Sequence, residues 1–378
     1  MRVLFWVQHL LGSGHVGRAL TLSSAMSRHG LEVTLVSGGV DLPWLARPDL
    51  RLVRLPPVRA ADPTFSRLVD DGGRPVGEAL WRERRRRLLD LLDELRPAVV
   101  MTEMFPFGRR AFRSELLPLL ERAGALGASR IASVRDVLVE KGEADRYRWM
   151  RDCALSHYDL ILAHTDGLVI PFALTFPFRD DLGEQLIETG FVGPAPAPRP
   201  SGVGRGEILV STGGGRVGRT LLAAALDARA LVGSTAAAWR LVASGEDEAA
   251  ALAQRPRPHV IIDRQRPDFR DLLANSLLSI SQAGYNTVVE ALAYEKRMVL
   301  VPFEDAGETE QRTRALKLAE LGLTTLLPGH ELGPRALAAA VDACLSAPQG
   351  ERPAIDLAGA DRSARLVLER ARGREWRR

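Results

Sequence analysis

From end to end, short β-branched or aliphatic runs alternate with segments whose apolar residues recur at helical spacing. That alternation restricts the chain to parallel sheets covered by helices on both faces, an α/β class of doubly wound domains. In the first half the strand runs fall at 2–8, 32–38, 52–55, 98–103, 130–136, 160–165 and 186–192. In the second half they fall at 207–212, 239–243, 260–263, 277–281, 297–302 and 324–327. Between them, FVGPAPAPRPSGVGRG (Phe191 to Gly206) is rich in proline and glycine and has no apolar period, so it reads as a linker. The expected organisation is a first domain over 1–193, a linker over 194–206 and a second domain over 207–358. Residues 359–378 then form a tail whose helix, predicted over 360–373, can pack back on the first domain. Two such domains present the carboxyl ends of their strands to a cleft, where open α/β sheets bind ligands.

A length of 378 residues with 46% hydrophobic content supports two or three packed cores. No run approaches the ~18 uninterrupted apolar residues of a membrane span, and MRVLFWVQHLLG lacks a charged start and a small-residue cleavage site. A cytoplasmic protein is expected. Two cysteines, Cys153 and Cys344, are too few for a disulfide framework and read as packed small residues. The formal charge is +4, and the densest basic run is Arg82, Arg84, Arg85, Arg86 and Arg87 beside a leucine stripe. It reads as a solvated helix face, with peripheral attachment at the inner face of a membrane as the alternative. No aromatic-interleaved basic platform is present, which argues against a nucleic-acid partner.

The first strand run leads into Gly12-Ser13-Gly14-His15-Val16-Gly17, literally G-x-G-x-x-G. A dinucleotide site would need an acid at the end of the second strand to hold the ribose, but that strand ends in Ser37-Gly38-Gly39, and Glu32 lies at its opposite end. What remains is a close-approach loop at a helix start, with Gly14 suited to an anion and His15 a candidate general base. Glu103 and Asp136, at the ends of the next strands, are candidates for the base itself or for orienting His15. Arg135 is a candidate for an anionic acceptor. Phe105-Pro106-Phe107 and the run 167–178 fit either core packing or an amphiphilic acceptor surface.

In the second half, Ser211-Thr212 runs into Gly213, Gly214 and Gly215, which let backbone approach a phosphate without Cβ interference. The segment 279–322 is more specific. A strand leads through Gln282, Ala283 and Gly284 to a helix expected to start near Asn286 or Thr287, and Glu290 lies on its face one turn along. The next strand opens into a polar loop followed by Glu310 and Gln311, side chains suited to reading sugar hydroxyls.

The segment 279–322 resembles the carboxyl-terminal donor-binding signature of the GT-B glycosyltransferases, in particular the family 28, MurG-like type. GSGHVGR and STGGG extend that resemblance over most of the chain, although 40–95 carries no such motif. The resemblance implies the GT-B fold and a metal-independent, inverting transfer of a sugar, GlcNAc-like or hexose, from a UDP-sugar to a hydroxyl acceptor. Small and lipid-linked acceptors are both compatible with it, and the UDP-sugar is a substrate, so no cofactor is implied. Gly213, Gly214, Gly215, Ser281, Ala283, Gly284, Asn286 and Thr287 would line the diphosphate. Glu290 would hold the ribose, Glu310 and Gln311 the sugar, and Asp263, Arg264, Gln265 and Arg266 would face the base. GSGHVGR differs from the MurG-like GGxxGH loop and also resembles the GxGHxxR loop of PseG-type UDP-sugar hydrolases, which use water as acceptor. A non-catalytic nucleotide-sugar-binding protein is the remaining alternative.

Overall fold

The computed structural model describes residues 1–45, 50–62, 67–139, 144–194, 202–212, 218–304, 309–348 and 352–375. They form two compact units, Met1–Val192 with Asp356–Arg378, and Gly193–Ile355.

The first unit has strands β1 (Arg2–Val7), β2 (Glu32–Ser37), β3 (Arg51–Arg54), the short β4 (Arg59–Ala60) and β5 (Leu68–Val69), then β6 (Val99–Glu103), β7 (Ser129–Arg135), β8 (Leu160–His164) and β9 (Leu186–Glu188). Its helices are α1 (Gly14–Arg28), α2 (Glu78–Leu95), α3 (Arg113–Ala125) and α4 (Ala144–His157). Seven strands make one parallel sheet in the order β3-β2-β1-β6-β7-β8-β9, with β4 and β5 as a separate antiparallel pair. Side chains alternate across β1. Val3, Phe5 and Val7 join the core under α1, while Leu4 and Trp6 join the core under α2 and α3. Burial on both faces is why this strand reads as an unbroken apolar run rather than an alternation.

The second unit contains β10 (Ile208–Ser211), β11 (Trp239–Ala243), β12 (Val260–Arg264), β13 (Leu278–Ser281), β14 (Met298–Leu300) and β15 (Thr325–Leu326). Helices α5 (Arg219–Ala228), α6 (Glu246–Ala253), α7 (Phe269–Asn275), α8 (Tyr285–Ala293), α9 (Glu310–Glu320) and α10 (Pro334–Ser346) accompany them. The sheet is parallel, in the order β12-β11-β10-β13-β14-β15. Both sheets therefore reverse direction beside their first strand, between β1 and β6 and between β10 and β13, the two crevices in which such folds hold ligands.

The chain returns to the first unit at Asp356, whose amide donates to Asp166 (2.8 Å), and Val192 bridges Ala358. A Cβ on Gly359 would lie 2.2 Å from the Gly190 carbonyl oxygen, so this crossing admits only glycine. Helix α11 (Gly359–Glu375) then buries Ala364, Val367 and Ala371 in the core beneath α1.

Two sequence expectations change in detail. The arginine run on α2 is not a uniform basic face. Arg84 is fully buried, its guanidinium bonded to both Glu115 oxygens (2.7 and 2.8 Å), to Gln8 and to the carbonyls of Gly38 and Pro56. Exposed Arg86 and Arg87 pair with Glu83, and Arg86 also with Asp90. Phe105, Phe107, Phe172 and Phe176 are buried, with Phe107 edge-on to both later rings, so they belong to the core. Cys153 and Cys344 are free and buried. Among the described residues no helix is long and apolar enough to cross a membrane.

Candidate active site

The crevice of the first unit is built from the carboxyl end of β1 outward. Gln8 and His9 follow the strand, and β2 ends in glycines for a steric reason. A Cβ on Gly38 would lie 2.2 Å from the Gln8 amide oxygen, and one on Gly39 2.3 Å from the His9 ring. The absent acid of a dinucleotide site is thus accounted for, because this strand end has no room for a side chain. Burial and the charge of Arg109 pull the His9 imidazole down to about 4, against a bond to the Val40 backbone.

Helix α1 begins at Gly14, so His15 stands in its first turn, 18% exposed, with Nδ1 2.7 Å from Glu103 Oε1. Glu103 is wholly buried at the end of β6, the strand beside β1. Arg18, one turn after His15 and also buried, donates through Nη2 to the same Oε1. The other oxygen, Oε2, has no hydrogen-bond partner among the described residues. Burial alone would raise the Glu103 carboxyl, but His15, Arg18 and Arg109 hold it at about 2. An ionised carboxylate only accepts, so His15 carries its proton on Nδ1 and keeps Nε2 as its basic nitrogen. Burial lowers His15 to about 4, with Glu103 opposing and Arg109 and Arg135 adding to the fall.

Behind this pair lies a second buried chain. Ser133 Oγ sits 2.7 Å from His164 Nε2, and His164 Nδ1 lies 3.0 Å from Thr189 Oγ1. Burial and the charge of Arg18 take His164 down to about 3, against the pull of Glu103. Asp136 is buried after β7, and its Oδ1 accepts the Val137 amide (2.8 Å). Arg135 ends β7, half-buried, with its charge reaching His15. Arg109, at φ 56°, donates through Nε to the Gln8 carbonyl (3.0 Å). The geometry therefore brings His15, Glu103 and Arg18 into one cluster.

The crevice of the second unit is made differently. Ser281 ends β13, Ala283 is buried, and Gly284 opens α8 at Tyr285 with no side-chain cap, one or two residues earlier than the sequence suggests. Asn286 and Thr287 fall in the first turn of α8. Gly213, Gly214 and Gly215 lie outside the described residues. A Cβ on Gly218 would meet the Thr212 Cβ at 2.1 Å, so α5 can start against β10 only with glycine there.

Glu290 on α8 pairs with Arg270 of α7 at 3.0 Å, and burial raises its carboxyl against that pairing. Glu310 is buried at the start of α9 and bonded to Arg314 (2.8 Å), while Gln311 Oε1 accepts the Phe303 amide (3.1 Å). Around the end of β12, Asp263 bridges Arg240 (2.5 Å) and Arg266 (3.1 Å). Exposed Arg264 pairs with Glu246 (3.0 Å), and Gln265 is exposed. Among the described residues no group of three His, Cys, Asp or Glu side chains could hold a metal ion.

Sequence reasoning missed Arg18 and Arg314. Arg18 lies inside GSGHVGR, and its signal was helical spacing, three residues after His15 on the same face. Arg314 stands four residues after Glu310. Its fully buried guanidinium ties α9 to the Ala283 carbonyl (2.6 Å) and sits over the Tyr285 ring.

Comparison with known proteins follows this division. Residues 231–365 match the glycosyltransferase family 28 C-terminal domain. A UDP-N-acetylglucosamine–N-acetylmuramyl-(pentapeptide) pyrophosphoryl-undecaprenol N-acetylglucosamine transferase of Rhodopseudomonas palustris is 31% identical over 195 residues, 47% of this chain and 50% of that protein. An uncharacterized glycosyltransferase of Methanopyrus kandleri is 25% identical over 160 residues, 42% of this chain and 44% of that one. The chain spans between a fifth and a half of the length of the curated relatives it matches. The calicheamicin glycosyltransferase CalG4 superposes with a TM-score of 0.59 at 19% identity, covering 100% of this chain and 97% of that one. LpCGTa, solved in complex with UDP, gives 0.61 at 16% identity over 98% and 94%. The fold is GT-B, two Rossmann-like domains.

Proposed function

We propose, from the match of residues 231–365 to the glycosyltransferase family 28 C-terminal domain within a GT-B fold, that this protein transfers a sugar from a UDP-sugar to a hydroxyl acceptor, small or lipid-linked, with inversion. The observation that carries the reading is the His15–Glu103 contact of 2.7 Å at the crevice of the first unit. In the proposed step His15 Nε2 takes the acceptor proton and the acceptor oxygen attacks the anomeric carbon. The bond from that carbon to the diphosphate breaks, and its electron pair leaves with UDP.

Glu103 fixes the tautomer and stabilises the imidazolium that forms. The leaving charge would be met by the amino end of α8, at Gly284, Asn286 and Thr287, and by the glycines after β10, without a metal. Glu290 would take the ribose hydroxyls, Glu310 and Gln311 the sugar, and the Asp263–Arg266 segment the base. Asp136 and Arg135 would line the acceptor side. Nucleotide recognition is supported by LpCGTa, solved with UDP, and by the rhamnosyltransferase SpnG, solved with thymidine diphosphate. The family 28 relatives carry UDP-N-acetylglucosamine in their names.

The test is nucleotide release from a panel of UDP- and dTDP-sugars, with and without a panel of phenolic, aliphatic and polyprenyl-linked hydroxyl acceptors. Release that depends on an acceptor, with the glycosylated product detected, is the expected result. Stoichiometric free sugar without acceptor would make water the acceptor and the protein a hydrolase. Binding with no release under any condition would contradict the reading.

A further inference from the structure

Two donors converge on one oxygen of a buried carboxylate, and the proposed step uses only one. Glu103 Oε1 accepts from His15 Nδ1 and from Arg18 Nη2, with Glu103 and Arg18 both inside the first unit. An unpaired carboxylate in that position would draw a proton to itself or hold one on the neighbouring imidazole, because a buried negative charge must be compensated. An imidazole so held is already charged and cannot accept a proton from a substrate.

We infer that Arg18 is the positioning residue of the proton-transfer pair: by sharing Oε1 it balances the Glu103 charge inside the sheet and keeps His15 neutral, protonated on Nδ1 with Nε2 the basic nitrogen. Arg18 acts through Glu103 and not on the substrate, since it is buried behind His15 on the same helix face. Helix α1 supplies both residues three positions apart, so one helix sets the base and its counter-charge together. The inference rests on His15 being the base. The charged and titratable groups facing the pair are Arg109 after β6, Arg135 on β7 and His164 on β8, with His9 near Arg109. Arg109 and Arg135 repel a proton from His15 directly. Arg18 bonds to the carboxylate itself.

The test follows the ring ¹⁵N and ¹³C signals of His15 through an acid titration, assigned by their absence in His15→Ala, in the full chain and in Arg18→Met, Arg18→Lys and Glu103→Gln. Methionine keeps the apolar stem of Arg18 and removes the charge. The expected result is that the Arg18→Met pair binds its first proton about one pH unit or more higher than the unsubstituted protein. Arg18→Lys should stay close to the unsubstituted protein. Where Arg18→Met does not fold, Glu103→Gln carries the test. It should lose the fixed Nδ1–H tautomer and bind a proton at lower pH, with Arg18 now facing His15 unopposed. A titration in Arg18→Met, or a tautomer in Glu103→Gln, indistinguishable from the unsubstituted protein overturns the inference. These signals need no turnover. An upward move without any matching move in the acid limb of nucleotide release would fault His15 as the base and leave the Arg18 pairing standing.

Discussion

The two crevices share a topology and differ in chemistry. At the first, ionisable side chains are buried: Glu103, Arg18 and His164 are wholly or almost wholly inside, and His15 nearly so. At the second, an uncapped helix start follows the buried Ser281 and Ala283, while the charged groups pair among themselves, Glu290 with Arg270 and the buried Glu310 with Arg314. Buried charge sets proton affinities, whereas backbone amides at a helix start hold anions without titrating. Under the proposed function, one fold used twice would separate proton handling from anion holding.

The largest expected break falls on the second unit. Arg314→Ala would strand the buried Glu310 carboxylate and free the Ala283 carbonyl, costing about 3–5 kcal/mol of stability there. Denaturation followed by hydrogen exchange at β10 and β13 should show it, with β1 and β6 unaffected.

Acid should divide the units in the opposite sense. His9, His15 and His164 are held below the ordinary 6.5, at about 4, 4 and 3, so the unfolded chain binds more protons as pH falls below 6.5. Stability is complete above that value and lost progressively towards pH 4, on the order of 3 kcal/mol for His9 alone. The described histidines of the second unit, His259 and His330, are exposed. Amide protection in β1 should therefore fail before that in β10, and simultaneous loss would refute the contrast.

Glu103→Gln should lower kcat by roughly 10²-fold with little change in donor affinity, because the amide no longer fixes the His15 tautomer. Steady-state rates beside UDP calorimetry would check it. Two glycines sharpen the comparison further. Gly39→Ala drives a Cβ into the His9 ring and Gly218→Ala drives one into Thr212. Each should cost roughly 1–3 kcal/mol, in its own unit only, by thermal denaturation. The smallest effect is Glu290→Gln, expected to raise donor KM by about 1 kcal/mol equivalent with kcat retained.

How much of this was legible follows from what each feature depends on. The central strands could be read because burial on both faces leaves long apolar runs, as in Val3–Val7. The β4–β5 pair escaped notice because its two-residue strands lie in no apolar run like TTLL around β15. Glu103 and Asp136 could be placed at strand ends and His15 in the glycine loop at a helix start, but which acid meets the imidazole depends on β6 lying beside β1, a long-range pairing that local spacing does not encode. Arg84 looked like part of a solvated basic run until the Glu115 carboxylate from α3 met it. Arginine spacing is the same for a surface face and a buried rivet, and only the partner across the fold distinguishes them.

The most direct test of the division between proton handling and donor holding is His15→Ala, measured twice on the same preparation. On the proposed function, calorimetry with UDP would read the second unit, and sugar transfer from the UDP-sugar identified in the panel would read the first. The expected result is a dissociation constant for UDP within about twofold of the unsubstituted protein and a transfer rate reduced by roughly 10³-fold or more. Transfer that persists at the original rate, or UDP affinity that falls together with it, would contradict the assignment of the two tasks to two sheets.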